Sequence, residues 1–103
     1  MTNAAATRRT NRERDQRRER VHEAVTDEHT RFNKALGNGA MVYMDTFAGR
    51  YRVTGARGFD ITSVPVYQDG REGGDQRTWM LANDSRWAQL LKEAGVERNP
   101  LFA

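Results

Sequence analysis

Apolar positions change their spacing twice along the chain. From Thr10 to Leu36 no proline or glycine intervenes, and Val21, Ala24, Val25, Phe32, Ala35 and Leu36 share one arc of about 120° at helical spacing. Thr10-Asn11-Arg12-Glu13 has capping-box spacing and Gly37-Asn38-Gly39 is a stop, which predicts one helix of about 27 residues, roughly 40 Å long. Residues 1–9 lack any apolar anchor and read as a disordered basic arm ahead of it. Glu28 falls inside the apolar arc and is expected to weaken that face.

Residues 40–82 turn to Val, Tyr, Phe, Thr and Met with glycine punctuation, the pattern of strands. These are expected near 41–47, 50–54, 59–67 and 77–82, joined by Ala48-Gly49, by Gly55-Ala56-Arg57-Gly58 and by a polar loop from Asp69 to Gln76. Met41, Met44 and Phe47 also fit a short helix, so the first segment stays open between the two. Pro65 has no amide hydrogen, which makes the third strand an edge or gives it a bulge near Ser63. Asn83 can cap a final helix with Trp87, Leu90, Leu91 and Ala94 on one face. Gly95 should end it in a Schellman-type turn that sets Val96 against Leu91. The pattern therefore predicts an α+β fold: a long amino-terminal helix, an antiparallel meander of three or four strands and a carboxy-terminal amphipathic helix over one sheet face. Residues 10–103 form its single small domain, from which 10–20 protrude.

Composition narrows the possible roles. A chain of 103 residues holds one domain with thin stability, and the absence of cysteine closes the disulfide route to more. Self-association through Val21, Val25, Phe32 and Leu36 becomes an expected source of extra burial, as a homodimer. The missing cysteines and the polar residues near Met1 fit a cytoplasmic setting, and no apolar run is long enough for a membrane role beyond the peripheral.

Charge is the most informative property. The cations are 15 arginines and two lysines, Lys34 and Lys92. Arg8, Arg9, Arg12, Arg14, Arg17, Arg18 and Arg20 face only Glu13, Asp15 and Glu19 in the same stretch, a net of +4 in a chain of net +3. The body is thus nearly neutral and the arm basic, as expected for an anionic partner. Arg14, Arg17 and Arg18 continue the apolar arc toward the amino terminus, so the seam turns basic where its apolar part ends. Zipper-type DNA-binding helices share that physical logic, although no basic-region consensus is present. A solvated ladder of Arg9, Glu13 and Arg17 is the plainer alternative.

Other candidates are weaker. Arg50 and Arg52 sit on one face of a predicted strand as a phosphate-facing or solvated row, with Tyr51 turned to the core beside Val53. Arg57-Gly58-Phe59 opens like an RNA-recognition signature but lacks its stacking positions. His22 and His29 lie about 10 Å apart along the helix and cannot share a metal, so no metal or cofactor is expected. Neither Ser63 nor Ser85 lies in a nucleophile motif, and Asp45 and Asp60 approach only if strands bring them together. Arg98-Asn99-Pro100-Leu101-Phe102 resembles the Leu-Phe-ended peptides that dock on replication clamps, without their glutamine, and an apolar tail packed on its own core explains it better. The expected function is a non-enzymatic nucleic-acid-binding accessory or regulatory protein, with DNA the favoured partner. The alternative is a protein-interaction module of phage or mobile-element type that docks on an acidic protein surface.

Overall fold

The computed structural model describes residues 4–58, 60–80 and 83–103, with side chains from residue 12 onward. Helix α1 spans Ala4–Gly37. Strands β1 (Tyr43–Thr46), β2 (Gly49–Arg57), β3 (Asp60–Val66) and β4 (Arg77–Met80) follow, and α2 covers Asp84–Glu93. The strands form one antiparallel meander in the order β1-β2-β3-β4, giving the expected α+β fold. The segment left open between helix and strand is a strand.

Helix α1 begins earlier than its pattern implied. The backbone is helical from Ala4, so Thr10 is not a cap and residues 4–9 are not a disordered arm, while residues 1–3 of that arm lie outside the described residues. Alanine at 4, 5 and 6 and arginine at 8 and 9 are strong helix formers, and they extend a helix already nucleated by its packed half. At the other end Gly39, at φ 102°, turns the chain as Asn38 N–H donates to Lys34 O and Gly39 N–H to Leu36 O.

Both helices cover one face of the sheet. Phe32 of α1 and Trp87, Leu90 and Leu91 of α2 pack with Val42, Met44, Val53, Ala56 and Ile61, while Leu36, Trp79, Ala94 and Val96 close the margins. Phe32 is fully buried in its own chain, so it is unavailable for the self-association seam expected of it. Val21, 40% exposed, and the half-buried Val25 and Leu36 remain at the surface of that stripe.

Two irregularities place the β2–β3 end. Register along β2 shifts between Val53 and Gly55, making Thr54 an extra residue opposite Ser63 and Thr62. Strict alternation would have turned Gly55 inward after Val53; the bulge turns Ala56 inward instead. The expected bulge near Ser63 therefore belongs to the facing strand, and β3 is an inner strand rather than an edge. Pro65 is tolerated because β4 pairs only with residues 60–63, leaving its side of β3 to the loop, where Gly73 N–H donates to Pro65 O at 2.8 Å. Gly55, Ala56 and Arg57 are strand residues and not part of the connecting turn. Phe59, Leu81 and Ala82 lie outside the described residues.

The last helix follows its pattern. Asn83, at φ −161° and ψ 164°, accepts from Arg86 N–H, and at the far end Val96 N–H donates to Leu91 O beside Gly95 at φ 74°. The chain then returns to α1. Glu28, 1% exposed, accepts from Trp87 Nε1 at 3.1 Å, Arg98 Nε at 2.8 Å and the Asn99 amide at 2.8 Å. Its carboxylate thus joins three segments instead of weakening the packing face. Phe102 lies under the Arg98 guanidinium at 5.2 Å, so the tail resembling a clamp-docking peptide is turned onto its own domain.

Candidate nucleic-acid interface

The protruding part of α1 is built by subtraction. The first inward-facing buried residue of the helix is Ala24, because the sheet and α2 reach no farther along it. Every side chain from Arg12 to Glu23 is exposed. Residues 4–20 extend about 25 Å at helical rise, and they account for a molecule measuring 71 × 24 × 20 Å.

Arg12, Arg14, Arg17, Arg18 and Arg20 all project from this segment, and none forms an ion pair among the described residues. The expected ladder is absent between Glu13 and Arg17, and five guanidiniums face solvent. Arg8 and Arg9 are helical, and their side chains lie outside the described residues. Arg14, Arg17 and Arg18 share the arc that Phe32 and Leu36 occupy lower down, so the body and this basic row face the same side of the helix axis.

The sheet arginines have different fates. Arg52 and Glu72 form a bidentate pair, Nε to Oε1 at 2.5 Å and Nη2 to Oε2 at 2.9 Å, which holds the Glu72 carboxyl below its usual range. Arg52 is therefore already matched by an anion and leaves the candidate row. Arg50 covers the Tyr43 ring at 4.5 Å and lies 3.8 Å from Asp45, more than half exposed. Tyr51 faces inward as expected, its hydroxyl accepting from Arg77 Nη1 at 2.9 Å.

Near the base of the arm a cleft of about 670 Å³ opens between α1 and the β2–β3 turn. Arg18, Val21, His22, Val25 and His29 form the helix wall, and Ala56, Arg57 and Gly58 face them. Asn33 fixes the two walls by donating from Nδ2 to Ala56 O and accepting Ala56 N–H, both at 2.9 Å. His29 stacks on Trp87 with centroids 4.6 Å apart and contacts Val25 O through Nδ1 at 2.6 Å. Its Nε2 is the buried side-chain polar atom without a partner among the described residues. Sequence reading missed this cleft, since the meeting of the β2 end with α1 that brings Arg57 and Arg18 to one cleft is long-range and leaves no mark in local spacing.

Chemistry considered from the sequence is dispersed. Asp45 and Asp60 do not meet: Asp45 pairs in register with Arg50 and Asp60 with Arg57, at opposite ends of the sheet. Ser63 is buried, donating to Arg77 O and accepting from Trp79 Nε1. Among the described residues no three His, Cys, Asp or Glu side chains gather as metal ligands, and no helix is long and apolar enough to cross a membrane. No protein-family model, no curated protein and no solved structure matches the chain.

Proposed function

We infer that this protein is a non-enzymatic nucleic-acid-binding accessory or regulatory protein of the cytoplasm, which lays the arginine-rich half of α1 on the phosphates of a duplex, with DNA the favoured partner. The observation that carries this reading is the run of five guanidiniums, Arg12 to Arg20, without an ion pair among the described residues, on the part of α1 where every side chain is exposed. A guanidinium forks onto phosphate oxygens, and each neutralised phosphate releases counterions, so this surface gains most from a polyanion. The helix supplies a rigid rod whose width matches a major groove. Replacing Arg12, Arg14, Arg17 and Arg18 together with glutamine keeps helix propensity and removes four charges. In a gel-shift titration this variant should lose most duplex binding while melting like the parent. Undiminished binding would refute the reading.

A second reading, a protein-interaction module with an acidic partner surface, draws on a separate observation. Phe47, at the tip of the β1–β2 hairpin, is 100% exposed, and Met80 is 80% exposed. Such side chains suit a protein surface better than a phosphate backbone. Loss of partner capture on Phe47→Ser, with duplex binding absent in the parent, would favour this second reading.

A further inference from the structure

The cleft at the base of the arm has a composition unlike the arm itself. Two arginines from different elements, Arg18 of α1 and Arg57 at the end of β2, line it with two imidazoles, His22 and His29, and the apolar Val21, Val25 and Ala56. No carboxylate lines it, although Glu19 and Glu23 neighbour it in sequence and Asp60 is the register partner of Arg57. Arg57 forms no ion pair among the described residues, unlike Arg52 on the same strand. Cationic edges around apolar and imidazole walls suit a ligand that is anionic at one end and flat and weakly polar at the other. A nucleotide has that division. A paired base within a duplex cannot enter such a cleft, but an unstacked one can, with its phosphate at the cationic edge.

We propose that this cleft seats one unpaired nucleotide of the nucleic acid held by the arm, its phosphate on Arg57, its base against His22 and Val25, and Arg18 on the next phosphate toward the arm. The proposal rests on the arm binding a duplex, and it makes the protein a reader of junctions between paired and unpaired strand. Arg57 then selects the junction while the arm supplies general affinity. Residues far apart in sequence form the seat, and the two Asn33–Ala56 hydrogen bonds hold it open before any ligand arrives.

Fluorescence anisotropy with the full chain separates the two claims, using a blunt duplex, the same duplex with a short single-stranded tail, and that duplex with a tail of abasic phosphodiesters. The tailed duplex should bind about tenfold more tightly than the blunt one, as expected for one stacked base with its phosphate. The abasic tail should recover only part of that gain. Arg57→Ala, on an exposed residue, should remove the advantage of the tail and leave blunt-duplex affinity and the melting temperature unchanged. Equal binding of blunt and tailed duplexes would overturn the seat while sparing the arm, as would an Arg57→Ala variant that keeps the preference for the tail. An abasic tail as good as the natural one would overturn the base contact. Failure to bind any of the three would overturn both the seat and the function proposed for the arm.

Discussion

Glu28 sits on the inward arc of α1, and its burial is tolerated because donors from α2 and the carboxy-terminal tail converge on both carboxylate oxygens. Glu28→Ala would leave Trp87 Nε1, the Asn99 amide and part of the Arg98 guanidinium without an acceptor. Breaking a buried pair in this way costs about 3 to 5 kcal/mol, readable as a lower urea midpoint, and Glu28→Gln should cost less because one oxygen remains. A loss below about 1 kcal/mol for Glu28→Ala would contradict the role assigned to it. Arg98 also holds Asp84, Nη1 to Oδ2 and Nη2 to Oδ1 both at 3.0 Å, and these hydrogen bonds keep the Asp84 carboxyl below its ordinary value of 3.8. Asp27 is lowered likewise, first by Arg31 and then by Asn99. A carboxyl depressed in the folded state adds stability that is complete above its unfolded value and lost as pH falls through the folded one. Melting temperature should therefore be flat above about pH 5 and fall below 3.8, with Asp84→Asn flattening part of that fall. A fall beginning near neutral pH would point to other groups. The sequence marked Glu28 as anomalous but held no clue to its partners, since Arg98 lies 70 residues away.

Among the elements, α2 was fully legible because its cap, its apolar face and its stop are all local: Asn83, the Trp87-Leu90-Leu91 face and Gly95. The meander was legible for the same reason, in alternation around Tyr51 and Val53 and in glycine turns. The Thr54 bulge was not, because an extra strand residue is defined only against its partner, and Pro65 drew attention to the wrong strand. The start of α1 was also misread, as a capping-box pattern inside a run of helix formers does not itself begin a helix. Asn33 joins these elements. Its amide satisfies both backbone groups of the buried Ala56, so Asn33→Ala should cost about 1 to 3 kcal/mol although the residue is exposed, with Asn33→Asp costing less than full removal. Denaturant unfolding checks this, and a neutral Asn33→Ala would show that the β2–β3 end is not fixed on α1.

At the scale of the whole molecule, the chain is a small two-layer body with a rod projecting from it. The Cα radius of gyration is 18.2 Å, against about 13 Å for a compact chain of this length. Charge follows the same division, with the net positive segment of residues 8–20 on the rod and the remainder of the chain nearly neutral. This segregation was visible in the sequence, since it depends only on order and sign, whereas the exposure of the arginines required knowing where the body ends. A rod whose arginines form no ion pairs among the described residues is costly in self-repulsion and gains from phosphates, so affinity should be governed by counterion release. The most direct test is the dependence of duplex affinity on salt, measured on the full chain. If the arm engages five phosphates, log K should fall against log salt with a slope near −4.5, and each arginine of the arm replaced by glutamine should make the slope shallower by about 0.9. A flat salt response, or a slope unchanged when Arg12, Arg14, Arg17 and Arg18 are replaced, would contradict the account.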